Sequence, residues 1–226
     1  LLVQIRNQGF RPTVFVPLRN FSPNEQDAHF REIVDRKQDY VGGFVIPIQP
    51  ENRRTELRTF VERLGKPVVF LDNAPLEQAS DYPRRTTFVG ASSMDGGELA
   101  ARAAIALFSP ATINRVLVIA SNTQVLRQQC FERALNKTFP NCKVVVDEGG
   151  LFNRDSAFKI MQKHLRLAID NNEPLDVVFC TSDSMTLGCL EAISAMDWGL
   201  LPQPRVFGYD GIETTIRLTE DPNSPL

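Results

Sequence analysis

The sequence predicts an α/β protein in which parallel β-sheets are covered by helices on both faces. Short apolar runs, such as residues 116–120 and 177–180, alternate along the chain with segments of helical periodicity. These runs are continuously apolar, which is typical of parallel strands that are buried on both faces. A single sheet that contained all of the strands predicted below would be unusually large. We therefore predict two lobes, residues 1–91 and 92–226, joined near Gly90.

Capping and turn residues set the predicted boundaries of the elements in the first lobe. Residues 1–8 form the end of a helix that stops at Gly9, and residues 13–18 form the first strand. Ser22 followed by Pro23 is typical of a helix N-terminus, and this helix is predicted to run to residue 37. The later elements are a strand over 41–47 ended by Pro47, a helix over 54–64 stopped at Gly65, a strand over 68–71, a polar loop over 74–85 and a strand over 87–90.

The second lobe continues the same alternation. Each predicted strand is an apolar run of four or five residues, and each predicted helix is amphipathic. Strands are predicted over 116–120, 143–147, 177–180 and 205–208, and helices over 94–107, 125–139, 155–170, 183–196 and 213–219.

The composition is that of an ordinary globular protein. The 226 residues are 42% hydrophobic and 23% charged, and the net charge is −2. Lysines and arginines are scattered, so nothing indicates a nucleic-acid-binding surface. The longest apolar runs are far shorter than the ~18 residues of a membrane span. Because the chain begins at Leu1 without a methionine or a signal peptide, we expect a processed or shortened chain.

The reactive residue types show neither a metal site nor a catalytic arrangement. The four cysteines lack CxxC spacing, which favours buried free thiols and mildly favours a reducing compartment. The two histidines lie far apart and have no metal-ligand spacing. There is no nucleophile-elbow motif and no phosphate-binding glycine-rich loop, so we expect no cofactor, no metal and no enzymatic activity. The cysteines and histidines of the chain are Cys130, Cys142, Cys180, Cys189, His29 and His164.

Polar residues follow two of the predicted strands at the points where the strands end. The run 177–180 leads into Thr181-Ser182-Asp183, and the run 206–208 leads into Tyr209-Asp210-Gly211. The carboxyl ends of neighbouring parallel strands line the crevice in which small ligands bind. These side chains are therefore candidate ligand contacts.

These and other segments resemble the periplasmic sugar-binding proteins of the ribose-binding type and the effector-binding domains of lac-repressor-like regulators. Residues 40–47 resemble the family's Val-Asp-Gly-Ile-Ile-Ile-x-Pro strand, and residues 65–72 resemble its Gly-Ile-Pro-Val-Val-x-x-Asp strand. Residues 88–100 resemble the crossover between lobes, residues 127–131 resemble Arg-x-x-Gly-Phe, and residues 177–188 resemble a strand that runs into Asn-Asp-x-Met-Ala-Leu-Gly.

The resemblance implies the periplasmic-binding-protein type I fold, in which two Rossmann-like lobes close around a ligand that is usually a sugar. It also implies that the family's first strand should precede Leu1 and its last crossover should follow Leu226, so we expect both to lie outside this sequence. Ligand binding would act by shifting the equilibrium between open and closed lobes.

Two candidate ligand residues follow a strand of the first lobe, and a third lies near the start of a helix in the second lobe. Asp72 ends the strand 68–71 and matches the family's hydroxyl-binding aspartate; the alternative is a cap for the following turn. Asn73 offers an amide where the family often has arginine, and it is equally suited to a turn. Arg127 matches the family's ligand-binding arginine, whose planar fork suits vicinal hydroxyls, and the alternative is a solvated surface side chain.

Three further candidates lie in the second lobe. Phe152 lies in the loop where the family places an aromatic that stacks on the sugar, although a loop phenylalanine can equally fill a lobe core. Ser182 replaces the family's asparagine and offers fewer hydrogen bonds, while the neighbouring Asp183 is expected to be the N-cap of the next helix. Asp210 matches a ligand-binding aspartate, and its alternative role is also an N-cap.

We predict the effector-binding domain of a lac-repressor-like regulator, because the unpaired cysteines and the missing export signal favour the cytoplasm. Such a domain would form a homodimer, bind a small sugar, and contact DNA only through a headpiece that this chain does not contain. One alternative is a periplasmic sugar-binding protein that serves an ABC transporter. Another is a degenerate binding fold used for protein interaction. An enzyme on a similar nucleotide-binding fold would need a glycine-rich turn after the first strand, and residues 19–23 cannot make that turn. In no case does the chain itself enter the membrane.

Overall fold

The computed structural model describes residues 1–18, 22–76, 78–109, 111–121, 125–196, 201–222 and 224–226. Within them the chain forms two compact units, Leu1–Gly90 and Ala91–Leu226. Both units have a parallel sheet with helices packed against it, which confirms the predicted α/β class. Within the described ranges, no helix has the length and apolar composition needed to cross a bilayer.

The N-terminal unit contains a three-stranded parallel sheet in the order β1-β2-β3. Phe70 pairs with Val45 on one side and with Phe88 on the other, so these three side chains share the sheet face that packs on the helices. Phe30 of the first long helix stacks on Phe60 of the next at 4.1 Å between ring centroids, which closes the core. The elements are α1 (Leu2–Asn7), α2 (Pro23–Asp35), β1 (Gly43–Val45), α3 (Arg54–Leu64), β2 (Val68–Leu71) and β3 (Thr86–Val89).

Residues 13–18 do not form the predicted first strand. Val14, Val16 and Leu18 are 58%, 67% and 97% exposed, and the segment has no place in the sheet order, which has β1 at its edge. An extended apolar segment becomes a strand only when a neighbouring strand completes its hydrogen bonds, and the hydrophobic pattern alone cannot reveal that partner. The prediction of a strand here is wrong for this reason.

Strand β1 is shorter than the predicted 41–47 because a side chain replaces the ladder at its end. The Gln26 amide donates to Ile46 O at 2.9 Å, and Ile48 N donates to Gln26 Oε1 at 3.0 Å. Pro47, between these two residues, has no N–H to give to a neighbouring strand. One glutamine of α2 thus satisfies the backbone on both sides of the proline.

The C-terminal unit contains a four-stranded parallel sheet in the order β5-β4-β6-β7, with helices on both faces. Val116, Val118 and Phe179 face α4 and α5, whereas Leu117 and Val178 face α6 and α7. The elements are α4 (Ser93–Phe108), β4 (Arg115–Ile119), α5 (Val125–Thr138), β5 (Lys143–Asp147), α6 (Arg154–Asp170), β6 (Val177–Cys180), α7 (Asp183–Ser194), β7 (Arg205–Phe207) and α8 (Glu213–Thr219).

The helix pairs of this unit approach each other closely at glycines. A Cβ added to Gly97 of α4 would overlap the backbone of Arg127 in α5, and a Cβ added to Gly188 of α7 would overlap the backbone of Arg154 in α6. Glycine at these positions allows the helix backbones to come into direct contact, and this contact fixes how each pair lies on the sheet.

Side-chain caps begin four of the helices. Ser22, Ser92, Asn153 and Ser182 each accept a hydrogen bond from the backbone N–H three residues later, at 3.4, 3.2, 2.9 and 3.5 Å. Such caps satisfy donors that the first helical turn leaves without partners. The predicted Ser22 cap is confirmed, and Ser182 takes the capping role that was expected of Asp183.

Candidate ligand-binding site

Three of the predicted ligand residues lie at the carboxyl edge of the C-terminal sheet. Ser182 follows β6 and Asp210 follows β7, and these two strands are neighbours in the sheet. Arg127 lies in the first turn of α5, which follows β4 on the other side of β6. The topology therefore brings together residues that are up to 83 positions apart (210 − 127) in the sequence.

Arg127 is a buried cation held from two sides. The residue is only 4% exposed, and its Nη1 donates a hydrogen bond to the carbonyl oxygen of Thr181. Its guanidinium carbon lies 3.4 Å from the centroid of the Tyr209 ring, which is cation–π contact distance. Arg127 is therefore not the solvated surface side chain that was its alternative role.

Tyr209 supports Arg127 at this edge, a role that its place after the strand 206–208 did not indicate. Its ring lies against Gly96 of α4, where a Cβ would overlap it, and the Arg127 guanidinium lies over the ring. The aromatic residue between Gly208 and Asp210 was visible in the sequence. That it supports an arginine some eighty residues earlier in the chain could not be seen there.

Ser182 and Asp183 have structural roles in this unit. The Ser182 hydroxyl caps α7, and its residue is buried. Asp183 is 2% exposed, and its Oδ2 accepts hydrogen bonds from Ile212 N at 2.8 Å and from Thr215 Oγ1 at 2.6 Å. Asp183 was expected to be the N-cap of α7; instead it ties the first residue of that helix to the start of α8.

Asp210 is exposed and lies at the N-terminus of α7. Its Oδ2 accepts a hydrogen bond from Asp183 N at 3.2 Å, where the helix macrodipole favours a negative charge. Its backbone φ is 111°, in the left-handed region that residues with a Cβ rarely adopt. The carboxylate is thus fixed by the fold at the edge of the sheet, and its ligand-binding role stays a prediction.

Phe152 lies in a strained loop next to the core. Leu151 and Phe152 have φ of 51° and 53°, so two consecutive residues are left-handed. The loop is anchored to the sheet by Gly150 N, which donates to Ala120 O at 3.0 Å. The Phe152 side chain is half-buried and packs on the apolar cluster between α6, α7 and the sheet. This packing supports the alternative role of filling the lobe core.

Two buried polar atoms near this edge have no hydrogen-bond partner among the described residues. They are the Thr181 hydroxyl oxygen and Gln128 Oε1. Buried polar groups are nearly always hydrogen-bonded, so an orphaned group of this kind points to a partner outside the described chain. The Thr181 hydroxyl belongs to the residue whose carbonyl holds Arg127, which places the orphaned group beside the buried cation.

The other two predicted ligand residues follow β2 in the N-terminal unit. Asp72 is exposed, has a φ of 64°, and continues the ladder through its N–H, which donates to Val89 O at 3.2 Å. Asn73 Nδ2 donates to Pro47 O at 3.3 Å and so links the ends of β1 and β2. Asn73 thus joins two strand ends and Asp72 presents a carboxylate at the end of β2, while the ligand-binding roles of both residues stay predictions.

Both units have a parallel sheet with helices packed against it, and polar side chains lie at the carboxyl edge of the C-terminal sheet. The chain belongs to the periplasmic binding protein domain family, whose model matches residues 9–225. A comparison with curated protein sequences found no match. The family resemblance inferred from the sequence motifs is therefore confirmed.

Several solved structures share this fold at low sequence identity. A solute-binding protein of an ABC transporter from Mycobacterium smegmatis, with bound glycerol, is 22% identical with a TM-score of 0.76 over 99% of this chain and 72% of that one. A Caulobacter myo-inositol-binding protein bound to myo-inositol is 23% identical with a TM-score of 0.71, over 88% and 65%. An Actinobacillus succinogenes 130z periplasmic solute-binding protein with bound D-allose is 18% identical with a TM-score of 0.73, over 95% and 73%.

This chain is shorter than several of the structures it matches. It spans 63% of the length of a galactofuranose-binding protein and 65% of the length of the Caulobacter protein. At these identities the similarity establishes the fold, and the ligands named above are those of the other proteins.

Proposed function

We propose that this chain is the ligand-binding part of an exported solute-binding protein and that its ligand is a neutral sugar or polyol. The observation that carries the proposal is the buried Arg127, held by Thr181 and Tyr209 at a sheet edge that also presents Asp210. Burying a cation costs free energy that its partners must offset, and buried charges of this kind are concentrated at functional sites. The proposal replaces the regulator that the sequence analysis favoured, because the family and the structures reported above are binding proteins.

The chemistry of the edge suits hydroxyl groups. A guanidinium carries five N–H donors in a planar fork, and a carboxylate accepts on both oxygens, so vicinal hydroxyls can both accept and donate. Asp210 opposes the charge of Arg127, so a neutral ligand needs no further counter-ion. Glycerol, myo-inositol and D-allose, the ligands of the three similar proteins, are all neutral and rich in hydroxyls.

The same comparison supports an exported location. The similar proteins with bound glycerol and D-allose are solute-binding proteins of ABC transporters. On this proposal the chain works outside the cytoplasm and delivers its ligand to a membrane permease. A homodimer and a DNA-binding headpiece belong to the regulator hypothesis and stay predictions of that hypothesis.

The test is thermal unfolding of the protein with myo-inositol, D-allose, glycerol, pentoses and hexoses. A ligand at 100 times its Kd adds about 2.7 kcal/mol to the free energy of unfolding, which raises the melting temperature by about 5–10 °C. We expect one class of polyol to give this rise and Arg127→Lys or Asp210→Asn to abolish it. The exposed Arg217 of α8, changed to lysine, is the matched control and should keep the rise.

Two results would count against the proposal. The first is the absence of a shift with every sugar and polyol, which would favour the degenerate fold that serves protein interaction. The second is a shift that survives both Arg127→Lys and Asp210→Asn, since the ligand would then bind elsewhere. Asp72→Ala adds a separate test of the role predicted for the N-terminal unit.

A further inference from the structure

Two buried cysteines of the C-terminal unit are in direct contact. Cys180 is the last residue of β6 and Cys189 is the seventh residue of α7, and their Sγ atoms lie 3.3 Å apart. Both residues are fully buried. The contact joins a strand of the central sheet to the helix that immediately follows it in the chain.

The local fold explains why these two side chains meet. Only Thr181 and Ser182 separate β6 from α7, so the helix must turn back at once onto the face of the sheet. Both cysteines belong to the apolar cluster that β6 forms with α6 and α7, where Met185 is also fully buried. The packing of α7 on β6 therefore places the two cysteines, since one belongs to the strand and the other to the helix.

We propose that Cys180 and Cys189 form an intramolecular disulfide when the chain folds in an oxidising compartment. A disulfide has an S–S distance of about 2.05 Å, so the two sulfur atoms need to approach by only about 1.3 Å. In the reaction, the two thiols lose two protons and two electrons to a low-molecular-weight disulfide, which is reduced to two thiols. The inference does not rest on the proposed ligand.

The environment of the pair indicates when the bond forms. Burial, together with the neighbouring thiol of Cys180, raises the pKa of Cys189 well above its ordinary value, and the thiolate is the species that attacks a disulfide. Once the unit is folded, both sulfur atoms are shielded from solvent, and the raised pKa of Cys189 keeps its thiol protonated. Oxidation therefore belongs to the folding stage, before the helix closes over the strand, and the finished bond is protected from reductants.

The other two cysteines provide an internal control. Cys130 lies in α5, where its sulfur is 3.3 Å from the Arg133 guanidinium. Cys142 precedes β5, and burial together with the charge of Asp176 raises its pKa to about 11. Neither has the sulfur–sulfur contact of the Cys180–Cys189 pair. A specific disulfide should therefore leave these two as thiols.

The test begins by refolding the reduced, unfolded protein in a mixture of reduced and oxidised glutathione. After acid quenching, free thiols are alkylated under denaturing conditions, and the chain is cleaved on the amino side of aspartates. Cleavage at Asp176, Asp183 and Asp197 separates the two cysteines into peptides 176–182 and 183–196. We expect these peptides to stay joined until a reductant is added, and we expect two alkylated cysteines per chain, Cys130 and Cys142.

Stability gives a second measurement. Closing a loop of about ten residues should raise the melting temperature of the oxidised protein by about 5–10 °C over the reduced protein. Cys189→Ala should remove the difference, and a Cys130→Ala, Cys142→Ala double variant should keep it. Four alkylated cysteines after refolding, or a mixture of pairings that includes Cys130 or Cys142, would overturn the inference. Because the peptide assay uses the unmodified chain, this result does not depend on any variant folding.

Discussion

Replacing Asp183 with alanine should destabilise the C-terminal unit severely. The side chain is buried where α7 begins, and it accepts hydrogen bonds from Ile212 N and Thr215 Oγ1. Both donors lie at the start of α8, so one carboxylate holds two helices and the end of β7 together. The Asp183→Ala substitution leaves both donors without this acceptor.

The magnitude follows from the two hydrogen bonds. A hydrogen bond to a charged group contributes about 1.5–3 kcal/mol, so the pair sets an upper range of about 3–6 kcal/mol. The Thr215 hydroxyl keeps a second acceptor, Ile212 O at 2.9 Å, and recovers part of its share. We expect a net loss of about 3 kcal/mol, which lowers the melting temperature by about 6–12 °C.

Urea and thermal unfolding, each followed by circular dichroism, measure this loss. The matched control is Asp155→Ala, which removes an exposed carboxylate from the first turn of α6 and should change stability by less than about 1 kcal/mol. Thr215→Val should cost less than Asp183→Ala because it removes only one of the two bonds. If Asp183→Ala lowers the free energy of unfolding no more than Asp155→Ala does, the hydrogen bonds between α7 and α8 do not stabilise the unit.

Further substitutions test three other parts of the structure. Gly188→Ala should cost about 1–3 kcal/mol, because its Cβ would enter the backbone of α6, whereas Gly43→Ala meets open space and should be nearly neutral in urea unfolding. Gln26→Leu should cost about 2 kcal/mol by leaving the two backbone groups around Pro47 without their side-chain partner, and hydrogen exchange near residue 48 should accelerate. Burial lowers the pKa of His164, so the unfolded chain takes up a proton more readily than the folded one. Stability should therefore fall as the pH drops below about 6.5, and His164→Gln should weaken this dependence in melting curves recorded between pH 5 and 8.

Local signals in the sequence predicted most of the secondary structure. Helix α3 and strands β2, β5 and β6 match their predicted boundaries, because capping residues, glycine stops and continuous apolar runs act over a few neighbouring residues. The strand predicted over 13–18 has the same apolar signal but lacks a partner in the sheet. A pattern along one segment carries no information about which segment lies beside it.

At the candidate site, too, local signals could be identified from the sequence, whereas contacts between distant segments could not. Arg127 and Asp210 could be selected from their places after predicted strands and from the family motifs. Tyr209 and Asp183 act through contacts with distant parts of the chain, Tyr209 under a guanidinium and Asp183 at the start of α8. These roles depend on the order of strands in the sheet, which the sequence alone left open.

The left-handed backbone at three predicted ligand positions limits which residues can replace the present ones. Asp72, Phe152 and Asp210 have φ of 64°, 53° and 111°, where β-branched residues are strongly disfavoured and glycine and asparagine are tolerated best. A library randomised at these positions and selected only for folding should lose valine and isoleucine and gain glycine and asparagine. Mutational routes to a new ligand would then run through a few small polar residues, whatever the ligand contributes to fitness.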